Sequence, residues 1–219
     1  MHTCFKRHVA TLLCALGATL FAGSCLAGRP LSVDDANVDD VSTGHVETWY
    51  GRQSGHSNNW TAAPAYAVAS GVEIDGLVSR DSSAAVNSGA VQIKLRLTES
   101  RSDGCNFAGT LGLSRASGDP TSTPYLNAIA TCNMHGGAVH LNLGAQHAAS
   151  NATIRTWGVA YERELGAITG HVEYFGQQQA RPTAQVGLRS EVVKNIQLDG
   201  TLGRSGRDTV CSLGMKFMF

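Results

Sequence analysis

Past residue 28 the chain has no apolar run approaching the ~20 residues of a membrane helix, which excludes a bundle of spanning helices. Charge is also scarce. Only 16% of residues are charged, below the ~25% of an ordinary soluble domain. Lysine is rare, and 17 basic side chains balance 17 acidic ones with no block of either sign. Without a basic stripe, nucleic acid is excluded as a partner. Helical periodicity is poor throughout. No G-x-S-x-G and no H-x-x-x-H occurs. Nothing in the composition implies a cofactor.

Apolar residues nonetheless make up 42% of the chain. Residues 1–27 hold one block of them. Lys6 and Arg7 precede the run "VATLLCALGATLFAG", and "SCLA" before "GRP" offers cleavage after Ala27. This pattern is that of a secretory signal peptide. Its removal leaves Cys105, Cys132 and Cys211 in an oxidising compartment. An odd count is not a disulfide framework. Cys105 and Cys132 stand nearly symmetrically about the 116–124 connection, so they would lie across from each other in a hairpin. A bridge and two free thiols both remain open.

The other apolar residues alternate with polar ones in segments of about ten, separated by Gly, Ser, Asn, Asp and Pro. In "AVQIKLRLTE", Val91, Ile93, Leu95 and Leu97 face one way and Gln92, Lys94, Arg96 and Thr98 the other. Twelve strands are expected: 44–53, 59–69, 71–81, 86–98, 104–115, 124–134, 136–148, 152–163, 167–178, 182–191, 194–204 and 208–219. A soluble sandwich would turn its apolar face inward. A membrane barrel turns it to lipid and keeps polar side chains in the lumen. Length and even number favour the membrane. So does the end of the chain, "CSLGMKFMF", whose apolar parity closes on Phe219. The reading is a twelve-stranded antiparallel transmembrane β-barrel, residues 44–219, preceded by a periplasmic segment, 28–43. Both barrel ends would face the periplasm, and the first connection, 54–58, would face outward.

The inward parity then holds the candidate functional residues: Glu47, Trp49, Glu73, Lys94, Arg96, His140, His171, Glu173, Arg189, Asp199 and Lys216. Mixed charge there either selects solutes at a constriction or forms a salt-bridge network that fills a narrow barrel. Trp49 shares the parity of Glu47 and is a candidate for stacking a ligand. Lys216 tests the register, because a slip of one residue would turn it to lipid. "VDDANVDD" lacks the central Gly of a calcium loop and is expected to be solvated, or packed into the barrel mouth. His147 and Ser150 are the nearest approach to a hydrolytic pair, without a third residue to orient them.

Arg29-Pro30-Leu31, Val33-Asp34-Asp35-Ala36, Gly44 and the acidic-aromatic Glu47 and Trp49 resemble the start of the outer-membrane family of MetA-pathway phenol degradation proteins. "QVGLRSEVVKNIQLDGTLGR" is similar to that family's penultimate hairpin, and "SLGMKFMF" to its closing strand. The resemblance implies an outer-membrane barrel that passes small, often hydrophobic or aromatic, compounds, and it carries over no agreed catalytic residues. A terminus like Phe219 also resembles the signal read by the barrel insertion machinery. The function expected is a channel or passive transporter for a small-molecule solute, surrounded by outer-membrane lipids. The alternatives are a lipid-modifying enzyme and a non-conducting structural or adhesive barrel.

Overall fold

In the computed structural model, residues 31–55, 57–147 and 152–219 are described. The expected signal peptide lies outside them. Twelve strands follow one another: β1 (Gly44–Gln53), β2 (Ser57–Ala69), β3 (Val72–Asp81), β4 (Val86–Arg96), β5 (Gly104–Ala116), β6 (Thr123–Met134), β7 (Gly137–His147), β8 (Thr153–Leu165), β9 (Ile168–Gln177), β10 (Thr183–Val193), β11 (Ile196–Ser205) and β12 (Asp208–Met218). Each pairs antiparallel with its chain neighbours, and β1 pairs with β12 to close the barrel. Closure leaves no free edge, the condition lipid imposes on a sheet.

Strand boundaries sit within two residues of the sequence expectation. One difference has a local cause. β10 runs on to Val193 through a register shift between Glu191 and Val193 opposite β11, and a second shift falls between Ala67 and Ala69 of β2. Extra residues of this kind are bulges, which bend a strand without ending it. The connections 70–71, 135–136 and 166–167 each put a glycine at positive φ (Gly71, Gly136, Gly166), where side chains are strained.

Alternation becomes an inside and an outside. Leu143, Leu213 and Trp60 are 69%, 71% and 62% exposed on the outer wall, whereas Gln92, Lys94 and His140 are at most 4% exposed inside it. The apolar face is the outer one, the reverse of a soluble barrel. Tyr50 packs on Trp60, and Trp157 on Tyr174, each at 5.1 Å between ring centroids, at one end of the wall. Phe217 and Phe219 stack at the other. Such belts mark the two interfaces of a bilayer. This is a membrane-spanning barrel.

Lys216 meets the register test. It pairs with Glu47 across the closing seam, and its Nζ lies 3.3 Å from Glu47 Oε1 inside the barrel. The backbone of Phe219 exchanges two hydrogen bonds with Gly44 at the same seam. Cys105 and Cys132 are directly opposed on β5 and β6 and form a disulfide. Cys211 is free and exposed.

Candidate functional site: a lumen crossed by the N-terminal segment

The segment before β1 is neither solvated nor confined to the mouth. Residues 31–39 run through the lumen from the β9 wall to the β3 wall. Leu31, Val33, Asp34, Ala36 and Val38 are all buried. A chain crossing a polar lumen must satisfy its backbone groups, and the wall supplies the partners. The N–H groups of Ser32 and Val33 donate to Glu173 Oε2 at 2.7 and 3.0 Å. Asp34 N–H donates to Asn142 Oδ1, and Asn142 Nδ2 donates back to the Asp34 carbonyl, both at 2.8 Å. Ala36 N–H donates to Thr131 Oγ1 at 2.8 Å, and Asp39 N–H to Glu73 Oε2 at 3.0 Å.

The side chains dock by charge and by shape. Lys94 Nζ lies 2.8 Å from Asp34 Oδ1, with Lys94 6% and Asp34 0% exposed. Burial pushes the Asp34 carboxyl up to about 6, against the opposing pull of Lys94. Burial alone would raise Asp35 as well, but Lys94 and His140 hold it below its ordinary value. Leu31 and Val33 pack on Ala160 and Phe175, and Ala36 on Ala108 and Ile129. Gly158 leaves the space for Val33, since a Cβ there would sit 2.7 Å from Val33 Cγ2.

At the foot of the segment, His45 Nδ1 lies 2.7 Å from Asp39 Oδ2, and that bond holds the Asp39 carboxyl below its ordinary value. Asp39, His45 and Glu73 bring ligand-type atoms within 4.8 Å of one another. All three are already bonded, His45 to the Asp39 carboxylate and Glu73 to the Asp39 backbone. Here the cluster ties the segment to β1 and β3.

All eleven candidate residues share the inward parity of the ladder. Glu73, Lys94 and Glu173 contact the segment directly. Glu47 joins Lys216. His140 receives or donates the Thr131 Oγ1 bond at 2.9 Å and faces Glu162 at 3.6 Å. Arg189 Nη1 lies 2.7 Å from Glu162 Oε2 and stands opposite Asp199 in the ladder. His171 Nε2 is 3.5 Å from Glu173 Oε1. Arg96 sits where β4 meets the 70–71 turn. Trp49 stands away from this cluster, level with Thr61 and Gly214. The charges therefore form a network, with the segment as one of its members.

Sequence reasoning missed Asn142 and Thr131 as clamps and Asp34 as the partner of Lys94. The one available signal was a lysine on the inward parity among carboxylates. His147 and Ser150 form no described pair: His147 ends β7 on the outward parity, and Ser150 lies outside the described residues.

Beyond the segment, toward the end away from the termini, the wall changes character. Hydroxyls and amides outnumber charges. Thr61 meets Ser79, Thr201 meets Ser212, and Tyr125 Oη donates to Gln92 Oε1. The barrel thus has one end crowded with charge and occupied by the segment, and one end lined mainly by hydroxyls and amides, where the inward carboxylates Asp81 and Asp208 are bonded to the 81–84 turn and to Gln53. A profile described as "Uncharacterised conserved protein UCP029691" matches residues 16–210. The chain belongs to this family. That description differs from the phenol-degradation name suggested by residues 29–49. No curated protein matches the chain. Among solved structures, the KdgM porin superposes with a TM-score of 0.67 at 15% identity, covering 80% of this chain and 99% of that one. An outer membrane channel from Pseudomonas putida F1 gives 0.63 at 13%, covering 84% and 98%. The NanC porin gives 0.62 at 9%, covering 78% and 98%. Identities this low support the fold alone.

Proposed function

We propose that this family member is an outer-membrane channel for a small solute, closed at rest by its own residues 31–39. The observation that carries the reading is the crossing of the lumen by that segment, held by Lys94, Glu73, Thr131, Asn142 and Glu173. Passage requires the segment to move. Residues 1–27 are taken as the removed signal peptide, so that the segment lies near the mature N-terminus. The terminal end faces the periplasm, where connections are short, and Phe219 presents the closing strand to the insertion machinery.

The solute is read from the far half of the lumen. Its lining of Thr61, Ser79, Gln92, Tyr125 and Ser212 offers hydrogen bonds and no cation, its carboxylates Asp75, Asp81 and Asp208 are held by Gln92, the 81–84 turn and Gln53, and Trp49 shares that inward wall. This suits uncharged, polar or aromatic molecules. It does not suit acidic sugars of the kind in the KdgM complex with oligogalacturonate, which would call for a basic track. A catalytic or purely structural role gains no support from this wall.

Uptake into liposomes tests the reading. A barrel lacking residues 28–39 should admit small uncharged aromatic solutes faster than anionic sugars of equal size. Equal exclusion of both by the shortened barrel would refute the channel.

A further inference from the structure

The outward parity of the twelve strands carries almost no charge. Its only charged side chains are Arg52, Arg80, Arg115, Arg155, Arg163 and Arg204, all arginine. Five of the six stand one to three residues from the strand end away from the termini; Arg163 alone is near the other end. Arg181 and Arg207, in the connections 178–182 and 206–207, add to the same rim. No outward carboxylate answers them on the strands. At that end Asp81 is 2% exposed and caps its own turn, Asp208 receives Gln53 Nε2, and Asp119 folds back on the Ala116 N–H.

An arginine on the lipid face costs ~2–4 kcal/mol at the bilayer midplane and ~0–1 near an interface. Their placement at one rim therefore fits the depth rule. It does not explain why every outward charge there has one sign. Guanidinium is suited to phosphate, which it binds by two parallel N–H bonds.

The collar is densest at β10–β12. Arg181 lies against the β11–β12 turn, where a Cβ on Gly206 would come within 2.5 Å of Arg181 Cδ, and Arg204 and Arg207 flank that turn. A groove of about 680 Å³ opens beside it, lined on the outer wall by Val172, Ala184, Val186, Leu202, Arg204 and Thr209. Glu173, Gln185 and Gly203, of inward parity, complete its lining. The outward side chains are mostly apolar and include the Arg204 guanidinium, a pairing that fits an acyl chain beneath a phosphate.

We propose that Arg181, Arg204 and Arg207, with the groove below Arg204, bind the phosphorylated glucosamine headgroup and one acyl chain of lipopolysaccharide. The lipid holds the barrel at its depth in the outer leaflet and rests on the β9–β12 wall behind Glu173 and Gln185, two residues that hold the segment in the lumen. The orientation proposed above decides only which leaflet supplies the lipid, so a test in micelles addresses the site by itself.

The folded full-length protein in detergent is titrated with bisphosphorylated lipid A, with the same lipid stripped of phosphate, and with inorganic phosphate, and bound lipid is read by native mass spectrometry. Bisphosphorylated lipid A should bind, with at least tenfold weaker binding to Arg181→Gln/Arg204→Gln/Arg207→Gln and a similar loss for the dephosphorylated lipid. Arg101→Gln/Arg163→Gln, at the other end, should bind as the parent does. Undiminished binding by the triple variant, or equal loss in the Arg101/Arg163 variant, would overturn the site. So would displacement of the lipid by millimolar inorganic phosphate, which would mark a soluble-anion site. If the triple variant does not give the heat-modifiable folded band, Ala184→Trp fills the groove without touching charge. It should reduce binding, and unchanged binding would count against the proposal.

Discussion

Replacing Lys94 by methionine keeps the length of the side chain and removes its charge. The cost follows from the geometry. Asp34 Oδ1 lies 2.8 Å from Nζ, and both side chains are almost fully buried. Removing one partner of such a pair leaves an uncompensated buried charge and costs ~3–5 kcal/mol. The barrel should bear little of this, because its twelve ladders do not pass through Asp34. The cost falls on docking of residues 31–39. At ~1.4 kcal/mol per factor of ten, the undocked population should rise by roughly two to three and a half powers of ten. Open probability in planar bilayers reads this directly. Adding Asp34→Asn to Lys94→Met removes the orphaned charge and should recover part of the closure, a coupling that a double-mutant cycle measures. If Lys94→Met opens no more often than the parent, the ion pair does not hold the segment, and the reasoning fails.

Gly158→Val places a side chain where Val33 now packs, with contact already at 2.7 Å for Cβ alone. Overpacking of this kind costs ~1–3 kcal/mol, so conductance should rise while heat-modifiable migration is unchanged. The effect of pH follows from Asp34. Its carboxyl, raised to about 6 when docked, takes up a proton more readily there than in free chain. Docking is therefore favoured as pH falls from about 6 toward 3.8, and conductance should drop over that window. Asp35 and Asp39, both lowered when docked, oppose docking only below it. With the signal peptide removed, a maleimide should label one thiol per folded, unreduced chain, Cys211, and three after reduction and unfolding. Three labels without reduction would disprove the bridge.

The barrel was legible in the sequence because strand alternation is local. "AVQIKLRLTE" assigns its own faces, and Lys94 and Arg96 fell inward without knowledge of any other strand. The seam was legible too, since Lys216 and Glu47 share a parity that any correct register must respect. The segment was not. Leu31, Val33, Ala36 and Val38 follow no strand or helix period. Their partners, Glu173, Asn142 and Thr131, lie about a hundred or more residues along the chain, with separations of 140, 108 and 95. No local pattern encodes such contacts. The acid-rich run 34–40 looked solvated because most acidic runs are. One buried cation, Lys94, and a set of backbone N–H groups donating to wall carboxylates reverse that expectation. The outward arginines were each visible as residues. Their common sign and rim became visible only once the ladder fixed parity and height together.

Single-channel recording on two chains, the mature protein and one lacking residues 28–39, tests the central claim most directly. The shortened barrel should conduct in discrete, cation-preferring steps, because Glu47, Glu73, Asp75, Glu162, Glu173 and Asp199 then outnumber Lys94, Arg96, Arg189 and Lys216 in the charged half of the lumen. The mature protein should be silent or open rarely. Equal conductance from both chains, or silence from both, would contradict a lumen closed by its own N-terminal segment.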